Sequence, residues 1–189
     1  MAQPIVFVGG IHGAGKTTVS HRLAVALSAS HVTAGALIRE TANSETISSG
    51  VGNKAVPDVN ANQALLMRGL AQYRCHASGP IILDGHFSLM EPSGALAVIP
   101  IAVYLAIAPV AVVLIESDSG VVHSRLVQRD GAAPPLESIS AFSERERAHA
   151  QAVCSALNVP MFVVRGDVPA NEAFYAAVSE LSPLLRGAT

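Results

Sequence analysis

The segment from residue 10 to residue 17 constrains the fold of this chain more than any other feature of the sequence. It reads GIHGAGKT and has the required residue at every fixed position of the pattern G-x-x-x-x-G-K-[ST]. An apolar, strand-like run precedes it, and residues with helical spacing follow it. Glycines in this setting let consecutive backbone N–H groups face one concavity, and the start of a helix adds about half a positive charge there. We therefore expect a phosphate-binding loop (P-loop) between a strand and a helix.

The residue types of this loop predict Mg2+ and ATP as its ligands. Lys16 is expected to bridge the β- and γ-phosphates, and the Thr17 hydroxyl is expected to bind Mg2+. Thr18 is either a further phosphate contact or an ordinary helix residue, and His12 either contacts the nucleotide or only shapes the loop. The residues of the loop predicted to bind the nucleotide are Gly10, His12, Gly13, Ala14, Gly15, Lys16, Thr17 and Thr18.

The rest of the chain alternates between strand-like and helix-like segments, which is the pattern of a parallel sheet covered by helices. Strands are predicted at residues 4–8, 31–33, 79–86, 110–115 and 159–164. Helices are predicted at residues 15–29, 34–42, 60–77, 119–129, 136–158 and 169–186, with another between Pro100 and Pro109 and a polar loop at 43–58. The sequence therefore predicts an α/β fold of the P-loop NTPase type, in which a five-stranded parallel sheet is flanked by helices in three layers. Residues 1–189 fit one such domain.

Composition excludes several classes of protein. Half of the residues are hydrophobic, 14% are charged and the formal net charge is -2, so neither a disordered chain nor a nucleic-acid-binding surface is expected. Cys75 and Cys154 form no metal-binding or disulfide pattern. The residues before the P-loop are too few for a signal peptide, and together these features favour a cytoplasmic protein.

Residues 94–115 form an uncharged run that is long enough to raise the question of a membrane span. Pro100 and Pro109 divide the run into a short helix and a β-branched segment with the character of a buried strand. We therefore expect neither a membrane span nor a membrane partner.

Polar residues that could act beside the P-loop appear at three further places. Asp84 ends a predicted strand, at the end where ligands bind in parallel α/β sheets, and is expected to reach the metal. His86 is expected to orient a phosphate or a water, unless it is a loop histidine bonded to backbone. Arg125 and Arg129 share one face of a helix beside a Gly/Pro loop that could close as a lid. They and Arg147 are either arginines that neutralise a transferred phosphoryl group or members of surface ion pairs.

The segments VTAGALIRE, ILDGH, SRLVQRDG and ERERA follow the P-loop in the order found in nucleoside monophosphate kinases. Over most of its length the chain resembles archaeal-type adenylate kinases and the small nuclear adenylate kinase of eukaryotes. Asp84-Gly85-His86 matches an Asp-x-His motif of these proteins, and residues 125–129 match Arg-Leu-x-x-Arg. The resemblance implies ATP as the donor, AMP as the acceptor, an acceptor-binding region at about residues 34–77 and a lid at about residues 125–147.

The acceptor motif departs from the wider family. Thr-Gly-Asp-x-x-Arg is replaced here by Ala34-Gly35-Ala36-Leu37-Ile38-Arg39, so the glycine and the arginine are kept while the threonine and the aspartate are lost. The resemblance implies Gly35, Arg39, His86 and Arg147 as substrate-binding residues. Its catalytic residues would be Lys16, Asp84, Arg125 and Arg129, with Thr17 and Asp84 at the metal.

Three functions are consistent with these residues. The first is transfer of the γ-phosphate of Mg-ATP to a nucleoside monophosphate, which needs in-line positioning and neutralised charge. The second is a kinase of a small hydroxyl-bearing metabolite, in which Asp84 or His86 would accept the hydroxyl proton. The third is a P-loop ATPase or switch that acts on a partner. The donor site is thus specified by the sequence, and the acceptor is left open.

Overall fold

A computed structural model describes residues 3–49, 59–90, 96–169 and 172–186. The strands are β1 (Ile5–Gly9), β2 (Ser30–Thr33), β3 (Ile81–Asp84), β4 (Ser88–Met90), β5 (Leu96–Val98), β6 (Ala111–Glu116) and β7 (Met161–Arg165). The helices are α1 (Lys16–Ala26), α2 (Ala34–Ser49), α3 (Val59–His76), α4 (Ile101–Ile107), α5 (Ser119–Asp130), α6 (Leu136–Leu157) and α7 (Glu172–Arg186).

Five of these strands form one sheet in the order β2-β3-β1-β6-β7, with β1 at its centre. All the pairings within this sheet are parallel. The predicted five-stranded parallel sheet flanked by helices is therefore confirmed. The carboxyl ends of parallel strands share one edge, where ligands bind in folds of this kind, and the P-loop leaves β1 at that edge.

The two faces of the sheet are covered by separate hydrophobic clusters. Val6 and Val8 of β1 belong to a cluster that includes residues of α1, α5 and α7. Ile5 and Phe7 belong to the other cluster, which includes residues of α3, α4 and the second half of α6. Because alternate residues of a strand point to opposite faces, a strand covered on both sides is apolar throughout, as β1 is.

The uncharged run at residues 94–115 is divided at its prolines, as predicted. α4 occupies seven of its residues, and β6 continues as a buried strand between β1 and β7. In the described ranges no helix has the length and apolar character that crossing a membrane requires.

Two local features differ from the sequence analysis: one prediction is wrong, and one pair of strands was not predicted. α2 continues to Ser49, so the first part of the loop predicted at 43–58 is helical. The residues NSETISS are polar except for Ile47 but contain neither glycine nor proline, so nothing in this segment interrupts the helix. Residues 50–58 of that loop lie outside the described residues. The antiparallel pair of β4 and β5 was not predicted, because each strand is only three residues long and shows no alternating pattern.

Candidate functional site

The P-loop turns sharply between β1 and α1, and two of its glycines make this turn possible. Gly10 has a φ of 146°, and a Cβ there would lie 2.4 Å from the carbonyl oxygen of Ile115 in β6. Gly15 has a φ of 92° directly before α1, and a Cβ there would lie 2.7 Å from the carbonyl oxygen of Gly166. Residues other than glycine rarely adopt such φ values. The glycines therefore let the loop lie close against β6 and the segment after β7.

Lys16 is the buried cation of this loop. Its side chain is 8% exposed, and Nζ donates a hydrogen bond to the carbonyl oxygen of Ile11 at 3.2 Å. Burial lowers the pKa of Lys16 to about 8, while the nearby carboxylates of Asp84 and Glu146 act in the opposite direction. A phosphate bound in the loop would give this ammonium a counter-charge and favour its protonated form.

The two predicted metal ligands lie together at the start of α1. The Thr17 hydroxyl donates to Asp84 Oδ2 at 3.4 Å, and Asp84 is 5% exposed at the carboxyl end of β3. Nε2 of His31 in β2 lies 3.8 Å from the same carboxylate oxygen. Hydroxyl and carboxylate oxygens beside a phosphate-binding loop are the hard ligands that Mg2+ prefers. The donor set of Thr17 and Asp84 therefore fits Mg2+ held with nucleotide phosphates.

Two histidines lie next to each other at the mouth of the loop. The ring centroids of His12 and His86 are 4.3 Å apart. Burial, the charge of Lys16 and the charge of His12 lower the pKa of His86 to about 2. Burial and the nearby charges of Lys16 and Arg129 also lower the pKa of His12. Both rings are therefore neutral at pH 7 and can exchange hydrogen bonds with a ligand without adding charge.

Glu146 of α6 is a site residue that the sequence did not reveal. Its carboxylate is 1% exposed and accepts hydrogen bonds from the backbone N–H groups of Gly10 at 3.1 Å, Phe87 at 2.9 Å and Ser88 at 2.6 Å. The Ser88 hydroxyl donates a fourth hydrogen bond, and His86 Nδ1 lies 4.0 Å from the same carboxylate. Glu146 thus joins the first residue of the P-loop to the segment that follows β3.

A helical pattern in α6 could have identified Glu146. The buried residues of α6 recur at intervals of three or four, and Glu146 occupies one of these positions among Phe142, Ala150 and Val153. A carboxylate on an apolar helix face needs hydrogen-bond partners inside the protein. The run ERER hid this signal, because its alternating charges are typical of a solvated surface.

The predicted arginines occupy different environments. Arg125 donates to the carbonyl oxygens of Gly13 at 3.1 Å and Gly166 at 3.0 Å, so it lies against the P-loop backbone. Arg129 is exposed and pairs with Asp130 at 2.6 Å, close enough to His12 to affect its pKa. Arg147 is exposed and pairs with Glu116 at the end of β6. The structure therefore brings Arg125 and Arg129 to the P-loop, whereas it joins Arg147 to a surface carboxylate.

A cavity of about 480 Å³ opens beside the P-loop and extends between α2, α3 and α4. Its polar end includes His12, Lys16, Thr17, Asp84 and His86. Its other described walls are mainly apolar and include Ile38, Leu66, Leu89, Ile99, Val103 and Ile107. Gly35 lines this cavity and Arg39 does not, although Arg39 Nη1 would lie 3.3 Å from a Cβ placed on Gly35. No arginine is present among the described residues that line the cavity.

A smaller cavity of about 260 Å³ lies on the other side of His12, between the P-loop, α5 and the start of α6. Arg129 and Asp130 line it together with apolar residues of both helices. Thr18 is exposed on α1. The smaller cavity therefore borders the predicted lid, and the larger cavity borders the predicted acceptor-binding region.

Comparisons with known proteins identify one matching family and several solved structures with a similar fold. Residues 9–142 match the family described as AAA domain. No curated protein is significantly similar to the sequence. Similar structures include a gluconokinase from Sinorhizobium meliloti 1021, with 16% identity, a TM-score of 0.53 and coverage of 100% of this chain and 98% of that one. Shikimate kinase from Acinetobacter baumannii has 14% identity, a TM-score of 0.55 and coverage of 98% and 94%.

A sugar kinase from Janibacter sp. HTCC2649 is similar as well, with 18% identity, a TM-score of 0.54 and coverage of 96% of this chain and 98% of that one. At such identities the likeness establishes the fold alone. These folds are those of P-loop kinases, and the match does not single out adenylate kinases.

Proposed function

Because the chain belongs to the AAA domain family and has the fold of P-loop kinases, we propose that it transfers the γ-phosphate of ATP to a hydroxyl group of a small molecule. One observation carries this proposal. The buried carboxylate of Asp84 touches Thr17 of the P-loop and also lines the larger cavity. A hydroxyl compound in that cavity would meet a carboxylate at the same place as the phosphate to be transferred.

The residues around Asp84 would have different roles in such a transfer. Backbone N–H groups of the P-loop and the Lys16 ammonium would bind the phosphates of ATP. Thr17 and Asp84 would hold Mg2+, which would supply positive charge beside the phosphates of ATP. Asp84 would accept the proton of the attacking hydroxyl, and neutral His86 would orient that hydroxyl by a hydrogen bond.

The arginines of α5 would act on the donor side. Arg125 braces the P-loop through the carbonyl oxygen of Gly13, and Arg129 lies at the smaller cavity beside His12. Closure of the loop between α5 and α6 would bring Arg129 toward the transferred phosphoryl group and exclude water from it. The segment after β7, which contains Gly166, would lie beside the adenine.

A nucleoside monophosphate, with AMP as the first choice, is the second candidate acceptor. It is supported by the place of Arg39, whose guanidinium lies over Gly35 at the edge of the larger cavity. A small rotation of the side chain would bring this cation to an acceptor phosphate. Arg147, in contrast, would first have to leave Glu116 before it could bind a substrate.

A panel of acceptors tests the proposal. ADP formation from Mg-ATP is measured with sugars, other hydroxyl compounds and nucleosides, and separately with AMP, CMP, UMP, GMP and deoxynucleoside monophosphates. The Lys16→Ala variant, which lacks the phosphate-binding ammonium, supplies the blank. We expect a hydroxyl compound to raise the rate above that without acceptor. Stimulation only by monophosphates would favour the second candidate, and no stimulation by any acceptor would favour an ATPase or switch that acts on a partner.

A further inference from the structure

The wall of the larger cavity contains a polar group that the transfer described above does not use. Gln63 of α3 lines the cavity, and its Nε2 is buried without a hydrogen-bond partner in the described part of the chain. A buried N–H donor is rarely left unpaired in a folded protein, since it has lost its hydrogen bonds to water. Because Gln63 lines the cavity, a turn of its side-chain amide would present this unpaired N–H to a hydrogen-bond acceptor on a ligand.

The residues next to Gln63 indicate the chemical class of that ligand. Asn62 precedes it on the same wall, and the aliphatic side chains of Ile38 and Leu66 line the cavity beside them. A sugar has hydroxyl groups on every side and would leave several of them against apolar walls. A flat heteroaromatic ring matches this wall, because its faces are apolar and its edge carries carbonyl oxygens and ring nitrogens.

The charge of the cavity favours a neutral ligand. Among its described lining residues, Lys16 is the one lysine or arginine, and Lys16 belongs to the phosphate-binding loop. As the cavity stands, its described walls offer an acceptor carboxylate or phosphate no further lysine or arginine, and Arg39 lies outside the lining.

We propose that the acceptor is a nucleoside, whose base edge receives a hydrogen bond from Gln63 and whose sugar hydroxyl lies at Asp84. This inference rests on the proposed transfer to a hydroxyl group, and it adds the chemical class of the acceptor. Asn62 supplies a second carboxamide at the base edge, and the volume of about 480 Å³ is in the range of small-molecule sites.

The test compares acceptors that share the ribose and differ in the ring. Uridine and adenosine carry hydrogen-bond acceptors on the ring, a phenyl C-riboside has a ring without them, and ribose has no ring. We expect kcat/KM to be highest for a nucleoside and about tenfold or more lower for the phenyl compound, because the phenyl compound leaves the buried amide unpaired.

Substitution of Gln63 then assigns this preference to its side chain. Gln63→Glu replaces the N–H donor by a carboxylate of the same shape, and Gln72→Glu makes the same change at an exposed position of α3. We expect Gln63→Glu to remove the preference for the nucleoside over the phenyl riboside and Gln72→Glu to keep it. Gln63→Met, which is apolar and of similar size, makes the same test if the glutamate variant does not fold, as judged by circular dichroism.

The outcomes separate the two proposals. If ribose or another sugar is phosphorylated as well as the nucleosides, the acceptor class is wrong and transfer to a hydroxyl stands. The same conclusion follows if both Gln63 variants retain the nucleoside preference. If no hydroxyl compound stimulates ADP formation, the proposed function itself fails and the nucleoside inference fails with it.

Discussion

Glu146 shows how one buried side chain can join the two halves of this site. Its carboxylate accepts hydrogen bonds from Gly10 of the P-loop and from Phe87 and Ser88 of the segment after β3. His86 belongs to the same segment and lines the larger cavity. We infer that Glu146 is a positioning residue, because it holds the P-loop and the segment after β3 at a fixed distance without lining the larger or the smaller cavity.

Replacing Glu146 by glutamine should therefore disturb both stability and nucleotide binding. The amide keeps the shape of the carboxylate but turns one oxygen into a donor that faces backbone N–H groups. We expect the free energy of unfolding to fall by about 2 kcal/mol, since at least one buried donor loses its partner. The affinity for ATP should fall as well, because Gly10 is released. Urea unfolding and calorimetric titration with ATP measure the two effects.

The control for this substitution is Glu144→Gln, which makes the same chemical change at an exposed position of α6. It should leave both quantities within about 0.5 kcal/mol of those of the parent protein. Equal behaviour of the two variants would mean that the buried carboxylate does not hold the site together.

Arg39 distinguishes the two candidate acceptors at the level of one residue. It lies beside Gly35 but does not line the acceptor cavity. Arg39→Ala should leave kcat/KM for a hydroxyl acceptor unchanged. If the acceptor is instead AMP, loss of a charged hydrogen bond to its phosphate should raise the KM for AMP by about tenfold or more. Steady-state kinetics decide between these results, with Arg145→Ala, an exposed arginine of α6, as the control.

At the scale of elements, the shape of the larger cavity depends on the close approach of α2 and α3. A Cβ at Gly69 of α3 would lie 2.6 Å from Thr41 Oγ1 and 3.0 Å from the carbonyl oxygen of Leu37, both in α2. These two groups are hydrogen-bonded to each other at 2.7 Å, so neither is free to move independently. Glycine at residue 69 therefore sets the spacing of the two helices that carry Ile38 and Gln63.

Gly69→Ala should destabilise the protein, which is the reverse of the usual effect in a helix. Alanine normally stabilises a helix interior by about 1 kcal/mol relative to glycine. Here the added methyl group should force α2 and α3 apart and lower the free energy of unfolding by about 1 to 3 kcal/mol. Urea unfolding measures this change. Ala64→Gly, at an exposed position of α3, reports the helix propensity alone. A stabilised Gly69→Ala variant would show that the helices have room to separate.

At the scale of the whole molecule, the sequence predicted the sheet and the donor site because both leave local patterns. The P-loop requires particular residues at fixed spacing, and the central strands are continuous apolar runs such as residues 111–115. The helical walls of the larger cavity are built differently. Gln63 and Gly69 on α3 lie far along the chain from Glu146 on α6, and the surroundings of each are set only when helices pack. The P-loop residues, Asp84 and His86 of this cavity follow local patterns and were predicted, whereas no local pattern records which helix faces form its other walls.

The stability of the whole molecule and its affinity for ATP should both depend on pH, because both change the protonation of Lys16. Its pKa is lowered from 10.5 to about 8 by burial, so between these pH values the unfolded chain binds more protons than the free folded protein. The free energy of unfolding of the nucleotide-free protein should therefore rise with pH across this window through Lys16. ATP has the opposite effect, because its phosphates favour the charged ammonium. Above pH 8 binding must take up a proton, and the affinity should fall by about tenfold per pH unit.

ATP at a concentration that saturates the protein at pH 7 should raise the Tm. At the same ATP concentration this increase in Tm should be smaller at pH 9. Differential scanning fluorimetry at the two pH values, with and without ATP, measures it. Lys16→Met has no ammonium to titrate, so any remaining increase in Tm should be the same at both pH values. An ATP affinity that stays constant from pH 7 to pH 9 in the parent protein would contradict a lowered pKa at Lys16. It would mean that the ammonium is charged in the free protein as fully as in the complex.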